Sequence, residues 1–201
     1  MKTVDACGLT CPAPILLVKD TVEKEALKEL VVLVDNKAAC ENVTRFLTNK
    51  GYSVNPVTNE NPIRVEANLS GEFVESTSSP SADSDQQDVK KNVVLIMSDC
   101  MGQGADELGR KLMINYIKTL KEMGDELWQI IFVNSGVKMT INSSPVVEDL
   151  KNYEKAGVTI LACGTCLDFY ELLDEKAAGE TTNMLDIVTA TQLADKVITM
   201  S

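Results

Sequence analysis

The chain has 201 residues, of which 44% are apolar, and its formal net charge is −11. This acidic balance disfavours direct binding to nucleic acid or to an anionic membrane, because both attract basic surfaces. The sequence contains no histidine, which excludes a Ser-His-Asp triad, a Cys-His dyad and any histidine-ligated zinc site.

The chain lacks the usual signals for a membrane or a secretory destination. No apolar run approaches the roughly 18 residues that indicate a transmembrane helix. The first residues, MKTVDACGLTCPAP, lack the apolar core of a secretory signal. We therefore expect a cytoplasmic protein whose six cysteines stay reduced. Metal binding and thiol chemistry are the two roles that such cysteines can have.

Residues 1–72 are predicted to form a two-layer α/β sandwich with the order strand, helix, strand, helix, strand, strand. Helical spacing of apolar residues predicts helices over 12–28 and 38–50. The runs rich in β-branched residues predict strands at 3–6, 30–35, 52–57 and 63–67.

A polar segment follows this first domain. Residues 75–88 read ESTSSPSADSDQQD, with one proline and no large apolar side chain. Such a segment cannot bury enough apolar surface to fold by itself. We predict a flexible linker over 73–91.

Residues 92–201 alternate buried apolar runs with amphipathic helices. This alternation predicts a doubly wound, mainly parallel α/β sheet. Strands are predicted at 93–98, 128–133, 158–162 and 197–200. Helices are predicted at 105–123, 145–156, 169–173 and 189–194, with Leu108, Leu112, Tyr116 and Leu120 on one face of the first.

The most informative stretch is Cys11-Pro12-Ala13-Pro14. Proline is tolerated in the first turn of a helix, whose N–H groups have no partner within the helix. Cys11 therefore falls at or beside the N-cap, where the helix dipole favours a nucleophilic thiolate and would stabilise a persulfide anion. The sequence predicts that Cys11 carries sulfur; the alternative is that it packs under the helix.

Residues 1 to about 70 resemble the TusA/SirA-like small sulfur-carrier proteins. The resemblance rests on the stretch VDACGLTCPAP at 4–14 and on the order of strands and helices. In that family the cysteine of the CPxP motif carries a persulfide, which the resemblance places on Cys11. Cys7 would then resolve the persulfide by forming a disulfide, or be a small residue at a strand end. Cys40 is expected to be structural.

A Cys163-Gly-Thr-Cys166 motif stands just past a buried strand, where ligands bind in open α/β sheets. Three interpretations remain open: a thiol relay or redox pair, half a zinc site, or a coincidence within a turn. A structural zinc needs four ligands, and Cys100 would supply only a third. Gly102 and Gly104 match the dinucleotide fingerprint weakly. We predict no cofactor and no bound metal.

Residues 92–201 resemble the DsrE-like domain, a sulfur-relay fold. The matching parts are Ser98-Asp99, Gly102-Gln103-Gly104, the stretch NSGVK at 134–138 and ILACGTC at 160–166. The resemblance makes Cys163 or Cys166 the working thiol without choosing between them. The order of the two domains resembles that of the YedF proteins, which are assigned a role in selenium metabolism.

These observations predict a sulfur or selenium carrier. Cys11 accepts the atom from a donor such as a cysteine desulfurase-type enzyme and passes it to the Cys163/Cys166 pair or to an acceptor protein. One alternative is a regulatory module that senses redox state through Cys163 and Cys166 and controls a partner protein. Another is that the second domain serves as a platform for homo-oligomers.

Overall fold

The computed structural model describes residues 2–25, 27–59, 61–69 and 89–201. The chain divides into two units, Met1–Gln87 and Asp88–Ser201. Of the predicted linker at 73–91, residues 73–88 lie outside the described residues.

The described part of the first unit has the predicted order of strands and helices. The elements are β1 (Lys2–Asp5), α1 (Ala13–Lys24), β2 (Glu29–Val34), α2 (Lys37–Asn49), β3 (Tyr52–Val57) and β4 (Ile63–Leu69). The sheet has the order β1-β2-β4-β3. Strand β1 runs parallel to β2, whereas β4 is antiparallel to both β2 and β3.

The core of the first unit lies between one face of this sheet and the two helices. Val4, Val32 and Val65 are buried and pair across β1, β2 and β4, so they share a face. The helices contribute fully buried side chains to this core, namely Ile15, Val18, Val43 and Leu47. A mixed sheet covered by two helices confirms the predicted α/β class of this unit.

Helix α1 ends at Lys24, four residues before the predicted end at 28. The carbonyl of Leu27 accepts a hydrogen bond from the hydroxyl of Tyr52 at 2.7 Å. The carbonyl of Lys28 accepts one from the N–H of Leu69 at 2.8 Å. Residues 27 and 28 are thus engaged with strands β3 and β4, which overrides their helical spacing.

The described residues of the second unit form a five-stranded parallel sheet in the order β8-β7-β6-β5-β9. The parallel sheet confirms the predicted α/β class of this unit. The strands are β5 (Asn92–Ile96), β6 (Leu127–Phe132), β7 (Thr159–Cys163), β8 (Glu180–Thr182) and β9 (Lys196–Met200). The helices are α3 (Asp106–Thr119), α4 (Val147–Lys155), α5 (Gly164–Phe169) and α6 (Met184–Leu193). Short 3-10 helices cover Leu120–Glu126, Asn134–Thr140 and Leu173–Glu175.

Helices cover both faces of this sheet. Alternate residues of β5 and β6 enter two separate cores, as in-and-out alternation along a strand requires. Val94 and Phe132 pack with side chains of α3 and α4 in the larger core. Val93 and Ile131 pack with Ile187 of α6 in the smaller one.

The predicted apolar face of α3 is confirmed only in part: Leu120, just past the end of the helix, is buried, and Tyr116 packs partly buried against the larger core. Leu108 and Leu112 are exposed, and the buried positions are Gly109, Met113 and Ile117. A Cβ at position 109 would stand 3.1 Å from the carbonyl oxygen of Met101. The loop before α3 therefore packs against Gly109, and Leu108 and Leu112 face outward.

The short helix predicted at 169–173 is also wrong in position. Helix α5 begins at Gly164, directly after Cys163, and ends at Phe169. The chain passes from strand to helix without an intervening loop, which places Cys166 within the helix. The last helix begins at Met184 because the side chain of Asn183 caps it by accepting from the N–H of Asp186.

None of the helices in the described part of the chain combines the length and the apolar character needed to cross a membrane.

Candidate functional site

Cys11 lies in the connection between β1 and α1. Pro12 is the N-cap of α1 and Ala13 is its first residue, so Cys11 stands one residue before the cap. The Cys11 side chain is exposed. It is therefore open to a partner and does not pack beneath the helix.

Two carboxylates hold the turn that presents Cys11. Asp5 accepts a hydrogen bond from the N–H of Cys7 at 3.0 Å, and Asp35 accepts one from the N–H of Gly8 at 2.6 Å. Gly8 has a φ of +72°, which side chains other than glycine rarely adopt. The turn is thus anchored to the ends of β1 and β2.

Cys7 differs from Cys11 in its chemistry. Burial raises the pKa of Cys7 to about 11, and its hydrogen bond to Asp5 and the charges of Asp5 and Asp35 act in the same direction. The raised pKa keeps the Cys7 thiol protonated at neutral pH. It is then a poor nucleophile, because the thiolate is the reactive form. Cys40 is 4% exposed within α2, and burial raises its pKa as well.

Apolar side chains flank Cys11 in the chain. Leu9, Leu16 and Leu17 are exposed, with 36–41% of each residue's surface accessible. A thiol beside exposed leucines suits a protein partner, because burying apolar surface contributes to association.

In the second unit, the loops after β5 and β6 are tied together. The Ser135 hydroxyl donates to the carboxylate of Asp99 at 2.9 Å and accepts from the N–H of Asp99 at 3.2 Å. Gly136 packs against β5, since a Cβ there would stand 2.5 Å from the carbonyl oxygen of Ile96. These contacts fix the backbone beside the end of β7.

The Cys163-x-x-Cys166 motif lies at the carboxyl end of β7. Cys163 is the last residue of β7 and the N-cap of α5, and it is 4% exposed. Cys166 is the third residue of α5 and is partly buried. Cys163, at the end of the strand, is therefore buried, whereas Cys166, in the helix, is more accessible.

Hydrogen bonds lower the pKa of Cys166. A hydrogen bond from the Cys163 thiol is the largest cause that lowers the pKa of Cys166, from 9.0 to about 6. The N–H of Asn134 donates to the Cys166 sulfur at 3.1 Å and lowers the pKa further, whereas burial raises it. These hydrogen bonds favour the thiolate form of Cys166. The sequence left the choice between the two cysteines open, and the structure favours Cys166 as the nucleophile.

Asn134, which the sequence analysis matched only as part of a motif, contributes to the surroundings of Cys166 through its N–H. Its φ is +49°, a left-handed conformation that asparagine tolerates better than most residues. The hydroxyl of Tyr170 donates to its side-chain oxygen at 3.0 Å. The ammonium of Lys138 lies 4.7 Å from the centre of the Tyr170 ring. The signal in the sequence is the Asn-Ser-Gly run directly after a strand.

Cys100 follows β5, and its thiol donates to the carbonyl of Asp106 at 3.5 Å. Its N–H donates to the hydroxyl of Ser98 at 3.0 Å. Within the described residues, no group of three or more histidine, cysteine, aspartate or glutamate side chains could hold a metal ion.

Comparisons with known proteins single out the first unit. The sequence profile of sulfurtransferase TusA matches residues 2–65. A candidate sulfur carrier protein of Methanocaldococcus jannaschii is 44% identical over 55 residues, which make up 27% of this chain and 73% of that protein.

Two solved structures resemble parts of this chain. The ychN protein of E. coli has a TM-score of 0.45 at 17% identity, over 55% of this chain and 99% of that chain. A SirA-like protein of Desulfitobacterium hafniense has a TM-score of 0.31 at 27% identity, over 36% of this chain and 100% of that chain.

Proposed function

The chain belongs, through its first unit, to the TusA family of sulfurtransferases, and on that premise we propose that it carries a sulfur or selenium atom on Cys11 and relays it to Cys166. The observation that carries the proposal is the exposed Cys11 sulfur on the turn before α1. A carrier thiol must be open to a donor and to an acceptor in succession, and an exposed sulfur meets both needs.

Loading is a thiol exchange. The sulfur of Cys11 attacks the outer sulfur of a persulfide on the donor, such as a cysteine desulfurase-type enzyme. The donor's cysteine leaves as a thiolate, and Cys11 then carries the outer sulfur as a persulfide. Leu9 and Leu16, close to Cys11 in the chain, are exposed apolar side chains that suit contact with a donor protein.

The other two cysteines of the first unit are unsuited to this step. Cys40 is buried in α2. Cys7 keeps its proton because burial and Asp5 raise its pKa to about 11. The burial of Cys40 and the raised pKa of Cys7 therefore support Cys11 as the carrier, in addition to the CPxP motif.

Transfer to the second unit uses Cys166 as acceptor. Its thiolate attacks the outer sulfur of the Cys11 persulfide, and Cys11 leaves as a thiolate. Joining the two units in one chain raises their mutual concentration to about the millimolar range that short tethers give. In this proposal the second unit is a DsrE-like relay domain, and the order of units is that of the YedF proteins, which makes selenium a candidate cargo.

The test loads the full chain with a cysteine desulfurase and cysteine and maps the added mass by peptide analysis. The Cys11→Ser variant should lose loading from the donor, and Cys7→Ser should load like the parent. If Cys11→Ser acquires sulfur as fast as the parent, the carrier role of Cys11 is wrong.

A second candidate function is redox sensing by the second unit. The observation in its favour is the hydrogen bond between the Cys163 and Cys166 thiols, which keeps two oxidisable sulfurs together. A sensor would form a reversible disulfide under mild peroxide and change its affinity for a partner protein, with Cys11 dispensable. Affinity that is unchanged by oxidation would exclude it.

We also propose that the second unit forms homo-oligomers. Exposed apolar side chains available for such contacts include Leu108 and Leu112 of α3 and, on the other face of the sheet, Met184 and Val188 of α6. Light scattering of the full chain should give a mass above that of one chain. A single-chain mass at micromolar concentration would contradict this proposal.

A further inference from the structure

We propose that the second unit discharges its cargo: Cys163 attacks the inner sulfur of a persulfide on Cys166, expels the outer atom as hydrosulfide or hydroselenide, and leaves a Cys163–Cys166 disulfide. The inference rests on the proposed function in one respect, that a sulfur or selenium atom reaches Cys166. It adds a product, a free chalcogenide anion, and a second role for the buried cysteine.

The positions of the two residues permit the attack. Cys163 is the N-cap of α5 and Cys166 is its third residue. In ordinary helix caps the side chain of the N-cap residue reaches the backbone of the third residue, so the two positions are close. The Cys163 thiol donates a hydrogen bond to the Cys166 sulfur. The Cys163 sulfur is therefore within hydrogen-bonding reach of the sulfur with which it must form a bond.

The difference in exposure between the two sulfurs decides which atom is attacked. Cys163 is 4% exposed and packs in the larger core of the unit, whereas Cys166 is partly exposed. Moving the outer sulfur onto Cys163 would place a persulfide anion in that apolar core, which is costly without compensating charges. Attack on the inner sulfur instead places an uncharged disulfide there and sends the anion outward.

The step balances within the pair. The Sγ–S bond of the Cys166 persulfide breaks, and the Cys163 Sγ–Cys166 Sγ bond forms. The outer sulfur takes the electron pair of the broken bond and is reduced to the sulfide level, while the Cys163 sulfur is oxidised from the thiol to the disulfide level and the Cys166 sulfur keeps its oxidation state. The proton of the Cys163 thiol leaves with the outer atom as hydrosulfide. A protein dithiol or a low-molecular-weight thiol then reduces the disulfide for another round.

The outer atom can leave by itself. Hydrosulfide and hydroselenide are weaker bases than an ordinary cysteine thiolate, and weak bases are competent leaving groups in thiol exchange. The N–H of Asn134, 3.1 Å from the Cys166 sulfur, holds that sulfur in place while the outer atom departs. An external acceptor thiol would attack the outer sulfur instead, so discharge is the outcome when no acceptor is bound.

The test separates the discharge of sulfide by Cys163 from the transfer of sulfur from Cys11 to Cys166. The full chain carrying Cys7→Ser, Cys11→Ser and Cys100→Ser is treated anaerobically with glutathione persulfide, which loads Cys166 without help from Cys11. Released sulfide is trapped with a fluorogenic bimane, and the cysteine peptides are mapped by mass. The matched variant adds Cys163→Ser, whose hydroxyl still donates a hydrogen bond but cannot form a disulfide. Far-UV circular dichroism and thermal unfolding confirm that both variants are folded.

We expect about one equivalent of sulfide per chain together with the Cys163–Cys166 disulfide, and we expect the Cys163→Ser variant to retain the extra sulfur on Cys166. Retention of sulfur on Cys166 when Cys163 is present would overturn the discharge but not the relay. Equal sulfide release with and without Cys163 would also overturn it. If Cys166 takes up no sulfur in the Cys163→Ser variant, the relay to Cys166 is itself wrong.

Discussion

The backbone N–H of Asn134 lies 3.1 Å from the sulfur of Cys166 and donates a hydrogen bond to it. This contact joins the segment after β6 to the helix after β7, and it bridges 32 positions of the sequence. The thiolate of the second unit thus depends on a loop that has no cysteine of its own.

The first prediction concerns the pH dependence of Cys166. With a pKa lowered to about 6, its alkylation by iodoacetamide should stay near maximal at neutral pH and fall to half at about pH 6. Replacing Cys163 by alanine removes the main hydrogen bond that lowers this pKa, so the midpoint should move upward by more than one pH unit. The measurement is the rate of Cys166 peptide alkylation from pH 4 to pH 10.

The matched control is Cys100→Ala, because the Cys100 thiol donates to Asp106 and not to Cys166. Its midpoint should equal that of the parent. A midpoint above pH 8 in the parent, or no shift in Cys163→Ala, would refute the role given to Cys163.

The second prediction separates the N–H of Asn134 from its side chain. Asn134→Gly keeps the N–H and the left-handed conformation at φ +49°, so the pKa of Cys166 should change little. Asn134→Val disfavours that conformation, because β-branched residues rarely have positive φ, and it should raise the pKa. Alkylation profiles of the two variants decide the matter, and identical profiles would show that the Asn134 contact is unimportant.

The third prediction concerns Cys7. Its pKa is raised to about 11 by burial and by the carboxylate of Asp5. In a Cys11→Ser background, Cys7 should resist alkylation at pH 8 and react faster as the pH approaches 11. Asp5→Asn keeps an acceptor for the Cys7 N–H but removes the charge, so the alkylation midpoint should fall. Glu23→Gln, an exposed acid on α1, should leave the midpoint unchanged.

The fourth prediction concerns Gly8, whose φ is +72°. Gly8→Ala should lower the free energy of unfolding by about 1–2 kcal/mol, the cost of a left-handed conformation for a residue with a Cβ. It should also slow the loading of Cys11, because the turn loses the conformation that lets Asp35 hold it. Denaturant unfolding and donor-dependent loading are the two measurements.

Gly51→Ala is the control for Gly8. Gly51 has a φ of +84° and, like Gly8, open space around its would-be Cβ. It follows α2, and its N–H donates to the carbonyl of Thr48 in that helix. It should cost similar stability and leave loading unchanged. If both variants load at the parental rate, the conformation of Gly8 does not matter for the carrier.

The sequence predicts the site of the first unit better than that of the second. Cys11 and the proline that caps its helix are adjacent in the chain, so local rules place the sulfur before the helix start. Cys166 becomes acidic through Cys163 and Asn134, and the Asn134 contact exists only once β6 and β7 are paired. No local pattern contains that contact, and the choice between Cys163 and Cys166 therefore needed the fold.

The same reason explains the errors in the predicted helices. Helical spacing placed Leu108 and Leu112 on one apolar face with Tyr116 and Leu120, but the loop before α3 contacts Gly109 and the first two leucines are exposed. Helix α5 was expected five residues too late because the stretch after Cys163 is short and rich in small residues. Its helical state follows from its attachment to the end of β7.

The central claim is that sulfur enters at Cys11 and moves to Cys166. The most direct measurement is a time course of peptide masses after the full chain is mixed with a loaded cysteine desulfurase under anaerobic conditions. The account predicts extra sulfur on Cys11 first, followed by its decline as Cys166 gains sulfur or the Cys163–Cys166 disulfide appears. Sulfur that reaches Cys166 at the same rate in Cys11→Ser as in the parent would contradict it.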